Sequence, residues 1–158
     1  MIEQQHHLAF IALGSNLEPR QSYIERAIER IRSLGTIEQM SAVLTTAPVG
    51  YTEQPDFLNA VLALRTQFAP LRLLRELREI ERELGRQQRP RWHEREIDLD
   101  LLFWDDFVLS NESLTLPHPE VQNRLFVLQP LAEIAPNFVH PVLHVTIGEL
   151  LAKLRDTR

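Results

Sequence analysis

The sequence predicts an α+β fold with a ferredoxin-like β-α-β-β-α-β core, followed by a C-terminal hairpin and short helices. Two observations support this prediction. Strand-like apolar segments and two amphipathic helical patterns follow one another in the order that such a core requires. The chain also has 158 residues, of which 44% are hydrophobic and 25% charged, as in ordinary globular domains. We therefore expect residues 1–158 to form a single domain.

Residues 8–45 are predicted to form the first half of the core. The apolar segment 8–14 is typical of a central strand, and the turn after it leads into a helix from about Arg20. Gly35 is expected to end this helix, and a second strand follows over residues 37–45. The apolar face of the helix consists of Ile24, Ala27, Ile28, Ile31 and Leu34.

Residues 58–104 are predicted to form the second half of the core. Residues 58–66 have the pattern of a strand, and the helix after them begins at Ala69-Pro70 and ends at Gly85. The segment REIDLDLLFW, residues 95–104, has the pattern of the fourth strand. The apolar face of the second helix consists of Leu73, Leu74, Leu77, Ile80 and Leu84.

The last third of the sequence is predicted to be an appendage to this core. It contains a short hairpin, a Pro-His loop and short helices near residues 125–134 and 146–154. Because ferredoxin-like cores carry many unrelated functions, the function has to be argued from particular side chains.

The composition excludes several classes of function. The net charge of −5 argues against a broad nucleic-acid surface, and the lack of cysteine excludes thiol nucleophiles and Cys-ligated zinc. Lys153 is the single lysine beside sixteen arginines, so a phosphate-loop or Schiff-base lysine is not expected. We expect a cytoplasmic protein without a membrane partner, because no signal-like or membrane-spanning segment is present.

Two aspartates interrupt the predicted fourth strand. Asp98 and Asp100 are two positions apart, so both carboxylates fall on one face of the strand, roughly 6 to 7 Å apart. Such carboxylates are costly in an apolar segment unless they are paired or bound to a metal, and Mg²⁺ favours oxygen ligands of this kind. Two aspartates on a solvent-exposed face are the alternative. The apolar residues expected on the opposite face are Ile97, Leu99, Leu101 and Phe103.

The segment GRQQRPRWHER, residues 85–95, leads into that strand and is rich in arginine. Guanidinium groups suit a polyphosphate that carries its own Mg²⁺, and Pro90 favours an exposed, mobile loop. Trp92 is expected to cover a flat ligand. The alternative is an ordinary solvated basic loop. The arginines of the segment are Arg86, Arg89, Arg91 and Arg95.

The loop TAPVGYTEQPDFLN, residues 46–59, is longer than a connection between adjacent strands requires. Phe57 offers a stacking surface, and Asn59 offers a donor and an acceptor for an amide-like ring edge. A packed loop with Phe57 in the core and Asn59 at a turn is the alternative for this loop taken alone.

The segment LTLPHPEVQNRLFVLQPLAEIAP, residues 114–136, contains a histidine between two prolines. His118 has a fixed backbone there, and together with Arg124 it could hold phosphate oxygens. A satisfied surface histidine is the alternative. The turn ALGSN, residues 12–16, has one glycine and no lysine, so it is interpreted as a strand-to-helix connection.

Together these segments resemble the 6-hydroxymethyl-7,8-dihydropterin pyrophosphokinase family. The motifs are ALGSNL, T-x-P-x-G…QPDFLNAV, R-x-I-DLDLL and LTLPHP…NR-x-F, which run in order from about Leu8 to Pro136. The resemblance implies transfer of a pyrophosphoryl group from ATP to the pterin alcohol, with release of AMP, in folate biosynthesis. It also implies a monomer whose partners are ATP and the pterin, with no nucleic-acid partner.

The resemblance also implies roles for individual residues. Asp98 and Asp100 would bind two Mg²⁺ ions that bridge ATP and the pterin hydroxyl, and Asp100 would help to remove its proton. Arg86 and Arg95 would stabilise charge on the transferred group. The other ATP-site positions are Glu81, Trp92, Leu101, Thr115, His118 and Arg124. The pterin pocket would contain Thr46, Pro48, Val49, Phe57, Asn59, Trp92, Asp98 and Phe126.

Some positions depart from the family pattern. His93 and Glu94 follow the tryptophan where the family usually has a small residue and often a proline. The loop is one residue shorter, so the family's intermediate arginine corresponds to either Gln88 or Arg89, and Ser113 replaces another arginine of some members. These differences bear on ATP affinity and loop closure more than on the reaction.

Two other functions stay open from the sequence. A ferredoxin-like nucleotidyltransferase also uses paired aspartates and two metals, but it needs a nucleic-acid groove, which the acidic net charge disfavours. A pterin- or nucleotide-binding module without catalytic activity would keep the fold, although loss of either aspartate would have been its signature. Metal-dependent ATP turnover distinguishes the enzyme from the module.

Overall fold

The computed structural model describes residues 5–90 and 92–157, and Arg91 of the predicted arginine-rich loop lies outside them. An antiparallel sheet lies at the centre of the fold. Its strands are β1 (His7–Ser15), β2 (Thr36–Met40), β3 (Leu44–Thr46), β4 (Phe57–Thr66) and β5 (Asp98–Trp104). Their order is β2-β4-β1-β5, and β3 also pairs with β4. The predicted combination of helices with an antiparallel sheet is confirmed.

Helices cover both faces of this sheet. The helices are α1 (Arg20–Ile31), α2 (Pro70–Glu83), α3 (Leu125–Ile134) and α4 (Ile147–Asp156). Apolar side chains of α1 and α2 pack on one face, and those of α3 and α4 pack on the other. Because both faces are buried, β1 and β4 are almost continuously apolar. The C-terminal helices, predicted to be an appendage, therefore form a layer of the core.

The remaining strands form the predicted hairpin, with β6 (Leu109–Ser110) paired to β7 (Thr115–Leu116). This hairpin precedes α3 and leads into the Pro-His loop that carries His118. Within the described ranges, no helix has the length and apolar character needed to span a membrane.

The predicted strand over residues 37–45 is in fact divided into β2 and β3. Ser41 lies between them, and its side chain takes over part of the strand pairing. The Ser41 N–H donates to the Val61 carbonyl, while the Ser41 hydroxyl accepts from the Val61 N–H, both at 2.9 Å. A side chain that replaces a main-chain acceptor interrupts the regular ladder.

The predicted fourth strand is also shorter than expected, and its alternation fails near its end. β5 begins at Asp98, because Glu96 bonds instead to Ser15 at the end of β1, and Arg95 bonds to Asn16 just after it. The pairing of β1 with β5 then shifts between Phe10 and Ile11. This bulge turns Phe103 towards α3 and α4, away from the face predicted for it.

The first helix ends earlier than predicted. The α-helix stops at Ile31 and continues as a 3₁₀ turn over Arg32–Leu34 before it reaches Gly35. A Cβ atom on Gly35 would lie 2.1 Å from the Arg65 carbonyl oxygen of β4. A glycine is therefore needed where the chain passes so close to the sheet.

Candidate active site

A cleft opens on the α3 face of the sheet, where small residues on β1 leave space. Gly14 is paired with Asn59 of β4 on one side and with Asp98 of β5 on the other, and Ala12 is paired with Asp100. A Cβ atom on Gly14 would lie 3.0 Å from Asn59 Oδ1. The cleft has a volume of about 250 Å³. The side chains of three neighbouring strands therefore form its floor.

Most of the predicted site residues line this cleft, although they come from distant parts of the chain. They include the aspartate pair, both arginines expected to stabilise the transferred group, and the predicted aromatic side chains. They are Thr46, Val49, Phe57, Asn59, Arg86, Trp92, Arg95, Asp98, Asp100, His118, Arg124 and Phe126.

The other predicted residues lie outside the cleft. Glu81 and Leu101 are each 3% exposed, and Leu101 packs in the core against α1 and α2. Thr115 is exposed on β7, and Pro48 lies in the loop between two lining residues. Leu101 can thus shape a ligand site only through the strand that it anchors, because its side chain is enclosed.

The aspartate pair lies side by side on β5, with the Asp98 and Asp100 side chains 38% and 23% exposed. Burial raises the pKa of both carboxyls, and the charge of Asp100 raises the pKa of Asp98 further. Arg86 opposes this rise in the pKa of Asp98 most strongly, and Arg78 does so for Asp100. Burial therefore disfavours the charged forms of both carboxyls, and a further cation bound beside them would favour these charged forms.

Glu81, on α2 behind the aspartates, organises the two nearest arginines. Its Oε1 accepts from Arg86 Nη1 at 2.9 Å and lies 3.0 Å from Arg78 Nη1. Its Oε2 accepts from the Leu99 N–H at 2.8 Å, between the two aspartates. Burial raises the pKa of Glu81, while the charge of Arg78 opposes the rise. Glu81 thus supports the site from inside and is not placed to contact a ligand in the main cleft.

A second cleft, of about 310 Å³, adjoins the first and is lined mainly by arginine. Arg86 and Arg95 line both clefts, so the two open towards each other beside the aspartates. The Arg95 guanidinium donates to the carbonyls of His93 and Glu94, at 3.1 and 3.0 Å. The lining residues are Arg78, Glu81, Arg82, Arg86, Gln87, Gln88, Arg89 and Arg95. This concentration of guanidinium groups favours a polyanionic ligand.

Two loops meet over the mouth of the main cleft. Gly50 has a φ of 81°, and a Cβ atom there would lie 2.8 Å from the Trp92 ring. Tyr51 stacks on His93 with ring centroids 3.9 Å apart and an interplanar angle of 24°. His93 therefore forms a contact between the two loops.

Asn16 and Gln54 tie these loops to the end of β1. The Asn16 side chain is fully buried, donates to Gln54 Oε1 at 2.8 Å and accepts from the Arg95 N–H at 2.9 Å. Gln54 in turn donates to the carbonyl of Trp92. The connection interpreted from sequence as a plain turn thus fixes the segment that carries Arg95.

Part of the main cleft, lined by residues that do not line the second cleft, combines aromatic surfaces with a polar edge. Phe57 and Phe126 line it from β4 and from the start of α3, and Asn59 donates to the Thr46 hydroxyl. Arg124 lies 5.6 Å from the Trp92 ring centroid and 5.8 Å from that of Phe126. Flat rings can stack in such a place, while Asn59 and Thr46 offer groups to a heterocycle edge.

His118 lines the cleft as a neutral imidazole. Burial, together with the charge of Arg124, lowers its pKa to about 4. Its Nδ1 accepts from the Glu120 N–H at 3.2 Å, which leaves the proton on Nε2. His118 can therefore donate a hydrogen bond to a ligand oxygen, whereas the positive charge at this position comes from Arg124.

The aspartate pair has the chemistry of a Mg²⁺ site that is completed by substrate. Across the residues that the structure describes, no group of three or more His, Cys, Asp or Glu side chains is arranged to hold a metal ion. Mg²⁺ is commonly bound by one or two carboxylates together with substrate phosphates and water. Asp98 and Asp100 supply such carboxylates beside an arginine-lined cleft, so the residues present fit this ion.

Sequence reasoning missed three residues that the structure brings into the site: Asn16, Gln54 and Arg78. Arg78 precedes Glu81 by three positions on α2, a spacing that places two side chains on the same helix face. That spacing was available in the sequence. The contacts of Asn16 and Gln54 join segments far apart in the chain, and no local pattern indicates them.

Comparison with protein families gives a match over most of the chain. The model of the family described as 7,8-dihydro-6-hydroxymethylpterin-pyrophosphokinase (HPPK) matches residues 10–136. A protein of Aquifex aeolicus named 2-amino-4-hydroxy-6-hydroxymethyldihydropteridine pyrophosphokinase is 39% identical over 140 residues, covering 89% of this chain and 88% of the relative. A protein of the same name from Haemophilus influenzae is 41% identical over 150 residues, covering 94% and 93%.

Comparison with solved structures supports the fold. The crystal structure of Plasmodium falciparum HPPK-DHPS with pteroate superposes with a TM-score of 0.77, at 17% sequence identity. The match covers 97% of this chain and 43% of that longer protein. At this identity, the likeness concerns the architecture alone.

Proposed function

The chain belongs to the 7,8-dihydro-6-hydroxymethylpterin-pyrophosphokinase family, and we propose that it transfers a pyrophosphoryl group from ATP to 6-hydroxymethyl-7,8-dihydropterin in folate biosynthesis. The observation that supports this reaction is the position of Asp98 and Asp100 where two different clefts meet. One cleft offers aromatic rings and an amide, as a pterin requires, and the other offers arginines, as a triphosphate requires.

In this proposal the pterin hydroxyl oxygen attacks the β-phosphorus of ATP. The bond between that phosphorus and the bridging oxygen to the α-phosphate breaks, and AMP leaves with the oxygen. Asp98 and Asp100 would hold two Mg²⁺ ions, which supply Lewis-acid stabilisation of the phosphates and of the ionised hydroxyl. Asp100 stands at the floor of the cleft, where it can help to take the hydroxyl proton.

The arginines of the second cleft would hold the triphosphate and stabilise charge during transfer. Arg86 and Arg95 line both clefts and so reach the junction where the phosphoryl group moves. Arg124 and His118 would add a charge and a neutral donor on the opposite side. Glu81 and Leu101 support this nucleotide site through α2 and β5, and Thr115 through the hairpin.

The pterin would stack between Phe57 and Phe126, with Asn59 reading its ring edge beside Thr46. Pro48 and Val49 would shape the neighbouring wall. Trp92, already placed against Gly50, would close the mouth of the cleft and exclude water from the reacting groups.

The reaction is tested by incubating the purified protein with ATP, Mg²⁺ and 6-hydroxymethyl-7,8-dihydropterin and separating the nucleotides. AMP should form only when all three are present. Asp100→Asn should abolish AMP formation, while Asp106→Asn, which removes an exposed carboxylate from the turn after β5, should leave it unchanged. Formation of ADP would contradict the mechanism, since the chain would then break the bond to the γ-phosphate.

The alternative of a pterin- or nucleotide-binding module without activity is not favoured, because the relatives named above are pyrophosphokinases. We further propose a single ferredoxin-like domain, supported by the strand order β2-β4-β1-β5, that acts as a cytoplasmic monomer. Sedimentation equilibrium tests the monomer directly, and a mass twice that of the chain would contradict it.

A further inference from the structure

The charges around the aspartate pair follow a repeated pattern. Arg78 and Arg86 each direct Nη1 to the same buried oxygen, Glu81 Oε1. Each then directs Nη2 to one aspartate: Arg78 lies 4.0 Å from Asp100 Oδ1, and Arg86 lies 3.6 Å from Asp98 Oδ1. Each carboxylate of the pair therefore has its own guanidinium, and one buried glutamate positions both.

Arg78 is the less expected member of this pattern. It also donates to the Leu99 carbonyl at 2.7 Å, so its side chain crosses from α2 to the strand that carries the aspartates. It lines the arginine-rich cleft, and its side chain is 45% exposed. The guanidinium is thus both a partner of Asp100 and accessible to a ligand in that cleft.

This arrangement opposes the binding of a metal ion by itself. A divalent cation on Asp98 and Asp100 would lie within a few ångströms of two guanidinium groups that already offset part of the negative charge there. A polyphosphate that arrives with the metal reverses the balance, because its oxygens attract both the metal and the arginines. The same two guanidiniums therefore penalise the metal alone and favour the metal with its phosphate ligand.

We propose that Arg78 is a positioning residue that couples divalent-metal binding at Asp100 to the binding of a polyphosphate. This inference rests on the proposed function, since it assumes that the aspartates hold the metal. Arg78 pairs with Asp100 while no polyphosphate is present, and it pairs with phosphate oxygens once the metal occupies the carboxylate. Glu81 keeps the guanidinium within reach of both partners.

The test measures Mn²⁺ binding, with the free ion followed by electron paramagnetic resonance, which needs no turnover. Titrations are made with and without α,β-methylene ATP, in which carbon replaces the bridging oxygen that the reaction breaks. Wild-type protein should bind Mn²⁺ weakly alone and much more tightly with the analogue. Arg78→Gln should bind Mn²⁺ alone roughly tenfold more tightly, so the ratio of the two affinities should fall by about that factor.

Two further variants test whether the effect depends on the charge at position 78. One removes a charge elsewhere on α2, and the other keeps the charge at position 78 but changes its contacts. Arg72→Gln removes the same charge from an earlier turn of α2 that lines neither cleft, where the side chain is 61% exposed and paired with Glu76, and should leave the ratio unchanged. Arg78→Lys keeps the charge while it loses the fork to Glu81 and Leu99, and should retain most of the coupling. The lysine variant also keeps the test decisive if Arg78→Gln fails to fold.

Equal Mn²⁺ affinities in Arg78→Gln and wild type, both with and without the analogue, would overturn the coupling role and leave Arg78 as a tie between α2 and β5. An equal change in Arg72→Gln would overturn it as well, since the effect would then belong to net charge. If wild-type protein binds no Mn²⁺ even with the analogue, the metal assignment of the proposed function fails instead.

Discussion

Replacement of Glu81 by alanine should destabilise the fold by about 2–4 kcal/mol. The carboxylate is 3% exposed and receives the Leu99 N–H at 2.8 Å. A buried N–H that loses its acceptor costs roughly 1–3 kcal/mol. Arg78 and Arg86 also lose their shared partner, but their side chains are 45% and 27% exposed, so together they add only about 1 kcal/mol.

The assay is urea denaturation followed by tryptophan fluorescence, because Trp104 is buried and lies on β5, the strand that contains Leu99. Glu79→Ala is the matched control: it removes a glutamate from the same helix, where the side chain is 42% exposed and paired with Arg82. The control should change the free energy of unfolding by less than about 0.5 kcal/mol. A Glu81→Ala protein of wild-type stability that shows only a raised KM for ATP would refute the reasoning and favour a direct nucleotide contact.

Three further predictions concern the cleft. Asp100→Asn should raise the melting temperature at pH 7 to 8. Burial raises the pKa of this carboxyl in the folded protein, so the free energy of unfolding falls as the pH rises above the pKa of the unfolded chain. The gain in melting temperature should vanish near pH 3. His118→Asn should reduce the loss of stability that wild-type protein shows on acidification between pH 6.5 and about 4. The reason is that the folded protein holds this histidine neutral down to a pKa of about 4. An unchanged pH profile in thermal unfolding would contradict this prediction. Gly50→Ala should raise the KM for the pterin several-fold in steady-state kinetics, since the added Cβ atom displaces Trp92.

The elements that the sequence predicts well are those whose pattern depends on burial alone. β1, β4 and α2 have the predicted bounds within a residue or two, because continuous apolar strands and a helix with Pro70 and Gly85 at its ends are local signals. The break at Ser41 and the bulge beside Phe10 depend on which strand lies alongside. The sequence of a strand does not show that a side-chain hydroxyl will replace a carbonyl in the pairing. It also does not show where the register with the neighbouring strand will shift.

The candidate site shows the same division. The placement of Asp98 and Asp100 on one face of a strand is visible in the sequence because a period of two reveals it. The link from Asn16 to Arg95 joins residues 79 positions apart, and the stack of Tyr51 on His93 joins two loops. Such contacts depend on the folded arrangement of the loops, so the sequence predicted that the loops matter without showing how they meet.

The site combines charges held between packed elements with charges carried by a loop. The aspartates and Arg78 lie on β5 and α2, which are held together by the core and by the bonds of Glu81 and Leu99. Trp92 and Arg95 lie on the loop between α2 and β5, which bonds to Gln54 and Asn16 and stacks on Tyr51 through His93. The distance between Asp100 and Arg78 is therefore set by the packing of α2 on β5, and does not depend on the position of the loop. A substitution in the loop should for this reason alter the binding and release of substrates, whereas one between α2 and β5 should alter the charge that the metal meets.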